Sequence, residues 1–326
     1  MSCADNLARH FQQHLANDME ATINQSLLAL LGQCKDLPTP PAVATKIIEL
    51  SNEQNTDLDT LADIVAMDPA LSAKILSIAN SSMYMRRIEA DSIGQAVGMF
   101  GWSGTLNIAL GFAVVGSIRG ALTSGLDYDR FWLRSLAAAT SARALGQMAS
   151  VKNSELLFLP GLLQDIGMLA LDNAVKDIYH GLGERQQDHV YIQRLEQEKV
   201  NTDHAQVGEW LLNNWNVPAE VTELVGLSHV SNFNVDDKEL LTHQKCIYLS
   251  GYISDCLMID EDRKAFEAVA FLMQKELNVS VSDFISLLGH VARQFQEMAA
   301  LFDLEVKNAE QLESITELAS LVMLSE

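Results

Sequence analysis

The chain is 326 residues long and strongly acidic, with 43 Asp and Glu against 22 Lys and Arg and a formal net charge of -21. Such a surface repels phosphate backbones and anionic lipid, which argues against nucleic acid and membrane as partners, and the length allows one large or two modest domains around a substantial core. Cys3, Cys34, Cys246 and Cys256 form no C-x-x-C motif, so reduced thiols in a cytoplasmic protein are the expectation.

In the N-terminal segment, Leu7, Phe11, Leu15, Ile23, Leu27 and Leu31 draw an apolar stripe that predicts one or two helices stopped near Gly32. The first twenty residues are polar and include Asp5, Asp18 and Glu20, unlike a signal peptide. His10, His14 and Asp18 share a face at metal-site spacing, but solvated faces fall into that spacing often. Leu37-Pro38-Thr39-Pro40-Pro41 breaks the pattern, because proline cannot continue a helix and biases its predecessor toward extended geometry.

Val43, Ile47, Ile48 and Leu50 open the next helix. Thr56-Asp57-Leu58-Asp59 caps another, with Leu58, Leu61, Ile64 and Val65 along it. Asp68-Pro69 starts a third, an N-cap acceptor followed by proline at the first helical position, with Leu71, Ile75, Leu76 and Ala79 inward. The tight pair has the outline of a helix-turn-helix, yet its second helix offers only Lys74 against an acidic background.

A further helix runs from Trp102 to about Gly120, and Gly101, Gly104, Gly111 and Gly116 bring it close to its neighbours. Its most apolar part, Leu106 to Ile118, falls short of the ~20 residues a membrane span needs. Gly120 to Asp129 reads as a linker into a helix carrying Phe131, Trp132, Leu136, Ala139 and Leu145. The stretch Leu156 to Leu171 is apolar at helical spacing nearly all round, interrupted by Gln164-Asp165, and so predicts a buried central helix. A carboxylate there needs a partner, since burying it alone costs on the order of several kcal/mol.

Asp188 to Val200 is more polar. Thr202-Asp203-His204 caps a helix with Val207, Trp210, Leu211 and Leu212, ended by Asn216-Val217-Pro218. From about Leu240 to Glu326 helical patterns alternate with short polar breaks. No strand pattern occurs, and the fold class is all-α.

The segments LPTPPAVATKIIEL, LADIVAMDPALSAKILSIANSSMY, SIGQAVGMFGW, GLLQDIG and HAQVGEWLLNNWNVPAEVTELVGLSH together resemble the HDOD family. This is the HD-related output domain of bacterial signalling proteins, a branch of the HD metal-dependent phosphohydrolase superfamily. The resemblance runs from about Leu37 to Asn232. It implies an HD-like multi-helix bundle in two packed lobes, 37–120 and 128–235, within a domain 37–235. Flanking it are an N-terminal helical segment, 1–36, and a C-terminal helical region, 236–326, packing on the second lobe.

Carried over residue by residue, the resemblance implies a degenerate metal site. The family's first ligand, a His in a segment like F-W-x-H-S, corresponds to Arg134; the His of the HD doublet is Gln164; the Asp of the doublet is Asp165. The Asp of a later A-D pair matches Gly251, while His204 and the second His of a pair, His229, persist. Gln is a weak ligand, Gly offers none, and a guanidinium does not coordinate a cation. No catalysis and no metal are expected. Any metal would rest on Asp165, His204 and His229.

The favoured reading is a non-catalytic signal-transduction module acting through a protein partner. The alternative is a phosphohydrolase using Mn, Fe, Ni or Zn on a nucleotide or other phosphate ester. A small molecule or nucleotide in the degenerate pocket is compatible with either. On their own, Asp165 reads as a structural carboxylate, His204 as a helix-start residue and His229 as a core or groove histidine. There is no P-loop, dinucleotide fingerprint or nucleophile elbow, and the twelve methionines read as core filler. Arg134 is expected to take the vacated metal position and pair with Asp165.

Overall fold

The computed structural model describes residues 25–34, 37–53, 57–81, 83–84, 89–118, 125–183, 186, 188–233, 235–258 and 263–306, with 312, 315, 317, 319 and 320. The stripe from Leu7 to Ile23 and the His10, His14, Asp18 face lie outside these residues. Among the described residues only helices and turns occur, as the patterning predicts.

The local punctuation works as read. In the front part, α1 (Gln25–Gln33) is followed by α2 (Ala42–Ser51), α3 (Leu58–Ala66) and α4 (Pro69–Ala79). The Asp57 carboxylate accepts from the Thr60 N–H at 2.8 Å, and Asp68 accepts from Ala70 and Leu71 at 2.9 and 3.1 Å, each satisfying orphan donors at a helix start. Helices α2, α3 and α4 pack on α5 (Ile93–Ile118), which Gly101 interrupts with φ 69° and ψ -175°. That backbone conformation favours glycine. It splits the element before Trp102, where the sequence places a helix start.

The second part is built on α6 (Tyr128–Met148), buried along most of its length. The central apolar stretch packs against it, but not as the single helix the periodicity suggests. A 3-10 turn (Ser154–Leu157) and α7 (Phe158–Leu163) end at Gln164, and α8 (Gly167–Ala174) follows after a break. The break has a packing cause. A Cβ on Gly167 would sit 2.0 Å from the His204 carbonyl oxygen and 2.6 Å from the Gly208 N, so only glycine fits where α8 starts against a neighbouring backbone. Gly161, on α7, is pressed onto α6 in the same way, at 3.0 Å from Ala139 Cα.

The remaining helices are α9 (His189–Val200), α10 (His204–Asn214), α11 (Ala219–Gly226), α12 (Lys238–Met258), α13 (Arg263–Leu277) and α14 (Val281–Leu301). Helices α12 and α14 flank α6, α10 covers α8, and α1 also rests on α8. After α14, Phe302 stacks on Phe112 at 4.0 Å and Asp303 pairs with Lys74, tying the C-terminal region to the front part.

By length and composition alone, Ile93–Gly116 and Ser154–Ala174 could each span a bilayer, which corrects the shorter estimate from Leu106 to Ile118. The most apolar windows of the two are 67% and 89% buried in the protein, and each is interrupted by a backbone break. Their hydrophobicity is core hydrophobicity.

Candidate metal centre

The break between α7 and α8 turns Asp165 inward, where it is 1% exposed. One carboxylate oxygen accepts from Arg134 Nη1 across from α6. Arg134 also donates from Nε to Asp255 Oδ1 at 3.0 Å and from Nη2 to the Gly251 carbonyl at 3.3 Å, both on α12. The guanidinium is thus buried and held on three sides, as the sequence predicts for Asp165, and Asp255 is a second carboxylate on it. Burial raises the Asp255 carboxyl to about 6 despite the guanidinium, since one cation serves two acids. For Asp165 burial also opposes ionisation and is the largest single influence, but Arg134, His189 and His204 together outweigh it and hold the group well below the usual carboxylate range.

The other oxygen, Asp165 Oδ1, is buried and accepts no well-aligned hydrogen bond. Two imidazole nitrogens lie near it, His204 Nε2 at 3.4 Å and His189 Nε2 at 3.5 Å. His189 Nε2 is also 3.1 Å from His204 Nε2 and 3.0 Å from His229 Nε2. One carboxylate oxygen and three ring nitrogens therefore converge, all within 4.8 Å of one another.

Carboxylates back two of the rings. Glu196 on α9 accepts from His204 Nδ1 at 2.7 Å and from the His204 backbone N–H at 2.9 Å, while Tyr179 donates to its other oxygen at 2.5 Å. His229 turns Nδ1 toward Asp203 Oδ2 at 3.3 Å, and Gln193 donates to the same oxygen at 3.0 Å. For His204 the carboxylate on Nδ1 fixes the ring so that Nε2 faces the cluster, the arrangement that orients histidine ligands around metals, whereas His229 Nδ1 only lies near its carboxylate without an aligned hydrogen bond. Burial depresses the His204 imidazole, yet Glu196 and Asp165 outweigh it and lift the pKa to about 10. His189 moves the opposite way, well below its ordinary value, through burial and the nearby Arg134.

All six positions assigned from the sequence meet here. Gln164 is buried, donates to the Gly161 carbonyl at 3.1 Å and turns Oε1 toward α12. Gly251 faces the site: a Cβ there would lie 3.4 Å from Gln164 Oε1 and 3.7 Å from Arg134 Nη2. The residues missed were His189, Asp255, Glu196 and Tyr179, and Asp203 was read only as a cap. His189 had one sequence signal. Asp188-His189 repeats the Asp203-His204 dipeptide, and each pair starts a helix with the Asp as N-cap. His189 thus joins Asp165, His204 and His229 in a group of four whose donor atoms could hold one divalent cation.

Two small clefts reach the cluster from either side of His189. One is lined by Arg130, Arg134, Met168 and Met258, the other by Gln164, Gln193, Gly251 and Tyr252.

Residues 37–231 match the family model of the HDOD domain. A structure from Shewanella amazonensis SB2B, put forward as a metal-dependent phosphohydrolase, is 20% identical with a TM-score of 0.59, over 90% of this chain and 99% of that one. One from Marinobacter aquaeolei VT8, put forward as a signal transduction protein, is also 20% identical with a TM-score of 0.51, over 98% of this chain and 67% of that one. At these identities the likeness is one of fold. An uncharacterized protein of Treponema pallidum (strain Nichols) is 26% identical over 197 residues, 58% of this chain and 37% of that relative, so the match spans little more than a third of the relative's length.

Proposed function

Since the chain belongs to the HDOD domain family, we propose that it is a non-catalytic signalling module that acts through contacts with a protein partner. The observation that carries this reading is Arg134. A binuclear hydrolytic site needs exchangeable cations on both sides of the doublet carboxylate, and here a permanent guanidinium holds one side, anchored by Asp165, Asp255 and the Gly251 carbonyl. Gln164 and Gly251 add no anionic ligand to that half.

An assay for phosphodiester and phosphomonoester hydrolysis with added manganese tests it. The expected result is no turnover above background, together with recovery of a stoichiometric signalling protein by crosslinking in the native cytoplasm. Manganese-dependent turnover that disappears in Asp165→Asn would overturn the reading.

One observation favours a second reading, a metal-dependent phosphohydrolase: the converging Asp165, His189, His204 and His229. A bound divalent ion would supply Lewis-acid polarisation of a phosphoryl oxygen and an acidified water. The chain's own part is to orient His204 through Glu196 and His229 through Asp203. Arg130, at the mouth of one cleft, is placed to attract the substrate's negative charge. The same assay separates the two readings.

A further inference from the structure

We infer that the cleft between His189 and α12 is a binding site for a primary ammonium group on a short alkyl stem. The inference rests on neither functional reading, since neither uses this cleft or a cationic ligand.

The spacing on α12 makes one wall. Gly251, Tyr252 and Asp255 follow Tyr248 by three, four and seven residues, which places all four on one helical face, and all four line the cleft. Gly251 stands where the family pattern carries an Asp. With no side chain there the face is hollow, and Gln164, Gln193 and Ser228 complete the lining. The space is about 350 Å³ and open to solvent, within the range of small-molecule sites.

The lining oxygens lack partners. Ser228 is 2% exposed, and its buried Oγ makes no hydrogen bond. Gln164 spends Nε2 on the Gly161 carbonyl, and its Oε1, turned toward Gly251, accepts from none of the described residues. Asp255 accepts from Arg134 at Oδ1, while its Oδ2 accepts from none of the described residues. A buried hydroxyl left unpaired destabilises a fold, and a ligand that pairs it removes that penalty.

Those oxygens define the ligand class. Amide and carboxylate oxygens only accept, so what enters must donate, and a primary ammonium carries three N–H donors for three oxygens. Tyr248 and Tyr252, with ring centroids 5.1 Å apart, add aromatic surface that attracts a cation and packs against its stem. No Arg or Lys lines this cleft, and a net charge of -21 draws cations while repelling phosphate and carboxylate. The same head group is carried by free alkylamines and by the lysine side chain of a protein.

The test titrates the full chain, carrying ring-labelled tyrosine, with butylammonium chloride at fixed ionic strength and follows Tyr248 and Tyr252 by NMR. We expect saturable shifts of both rings with Kd ~0.1–1 mM. Butyrate, butanol and inorganic phosphate should bind about tenfold more weakly or not at all. Ser228→Ala should weaken butylammonium binding ~5-fold with Tm unchanged or raised, because the hydroxyl has no partner in the empty cleft. Gly251→Ala should weaken it about as much; the fold accepts this change, as the added Cβ meets Gln164 and Arg134 only at 3.4 and 3.7 Å. Tighter binding of Nα-acetyl-lysine methylamide than of butylammonium would assign the cleft to a partner's lysine, and the reverse to a free amine. Absence of saturable shifts would overturn the inference and leave the cleft to water. An equal response to butyrate or phosphate, or affinity unchanged in either variant, would equally overturn it.

Discussion

Helix α6 carries two buried arginines, and their surroundings differ in kind. Arg134 and Arg143 stand nine residues apart, which at about 3.6 residues per turn places them on opposite faces. Arg134, 8% exposed, faces α8 and α12, where it meets two buried carboxylates and lies beside a histidine cluster. Arg143, 3% exposed, faces the front of the molecule, donates from Nε to Glu155 at 2.7 Å and lies over the Tyr84 ring at 4.5 Å. Tyr84 donates to the other Glu155 oxygen, and Asn107 on α5 donates to the Glu155 carbonyl. The Arg143 joint is one cation on one anion and fastens two parts of the chain, with Arg143 Nη1 left without a hydrogen-bond partner. The Arg134 site sets one permanent cation against two buried carboxylates, Asp165 and Asp255, so it is not matched one to one.

Removing Arg134 should show this most strongly. Arg134→Ala leaves Asp165 and Asp255 buried against each other without their cation, and we expect a loss of ~3–5 kcal/mol in urea unfolding. Replacing Arg134 and Asp165 together by well-packed apolar residues should cost less than the single change, because no unpaired charge remains. A single-variant loss below about 1 kcal/mol would mean the guanidinium is solvated and the contrast with Arg143 is empty.

Glu155→Ala comes next, at roughly 2 kcal/mol. It strands the Arg143 guanidinium, but Glu155 sits nearer the surface, with a side chain 16% exposed, so water softens the penalty. The cost of Arg134→Ala should not change in this background. If it falls, the two faces of α6 are coupled and the comparison between them fails.

These two residues also mark what the sequence disclosed. Helix starts at Asp57, Asp68-Pro69 and Asp203 were legible because capping is local chemistry. The pairing of Arg134 with Asp165 was legible from a family pattern that puts both on a common cation. His189 and Asp255 were not, since what makes them site residues is the tertiary placement of α9 beside Asp165 and of α12 against α6, and no spacing rule spans that separation. The break at Gln164 was hidden for a similar reason. Apolar periodicity runs straight through it, and the demand on Gly167 comes from the backbone of α10, some forty residues on. Glu155 drew no attention because its partners, Tyr84 and Arg143, lie on separate elements.

Asp255 gives a smaller, pH-dependent effect. Its folded pKa, about 6, is raised above the unfolded value, so folding favours the protonated acid. The stability it contributes is present below the unfolded pKa, near 4, and is lost as pH rises through about 6. Asp255→Asn cannot ionise. Measured by urea unfolding at pH 4 and pH 7, the variant should therefore gain on the wild type as pH rises. A difference that stays flat, or moves the other way, would place Asp255 with Asp165 as a fully compensated carboxylate and remove the mismatch.

The smallest effect belongs to Tyr84→Phe. It removes the hydroxyl that donates to Glu155 while keeping the ring under Arg143 and edge-on to Phe100, where the centroids are 4.7 Å apart. Glu155 retains the charge-assisted bond from Arg143, so no buried charge is left unpaired and the loss should be about 1 kcal/mol, the net worth of one hydrogen bond. Tyr84→Ala also removes the ring from a cation and an aromatic neighbour, and should cost clearly more than Tyr84→Phe. Thermal unfolding of the two variants separates hydroxyl from ring. Equal losses would show that the hydroxyl carries the contact, leaving the stacking on Arg143 without energetic consequence; the joint would then depend on Glu155 alone.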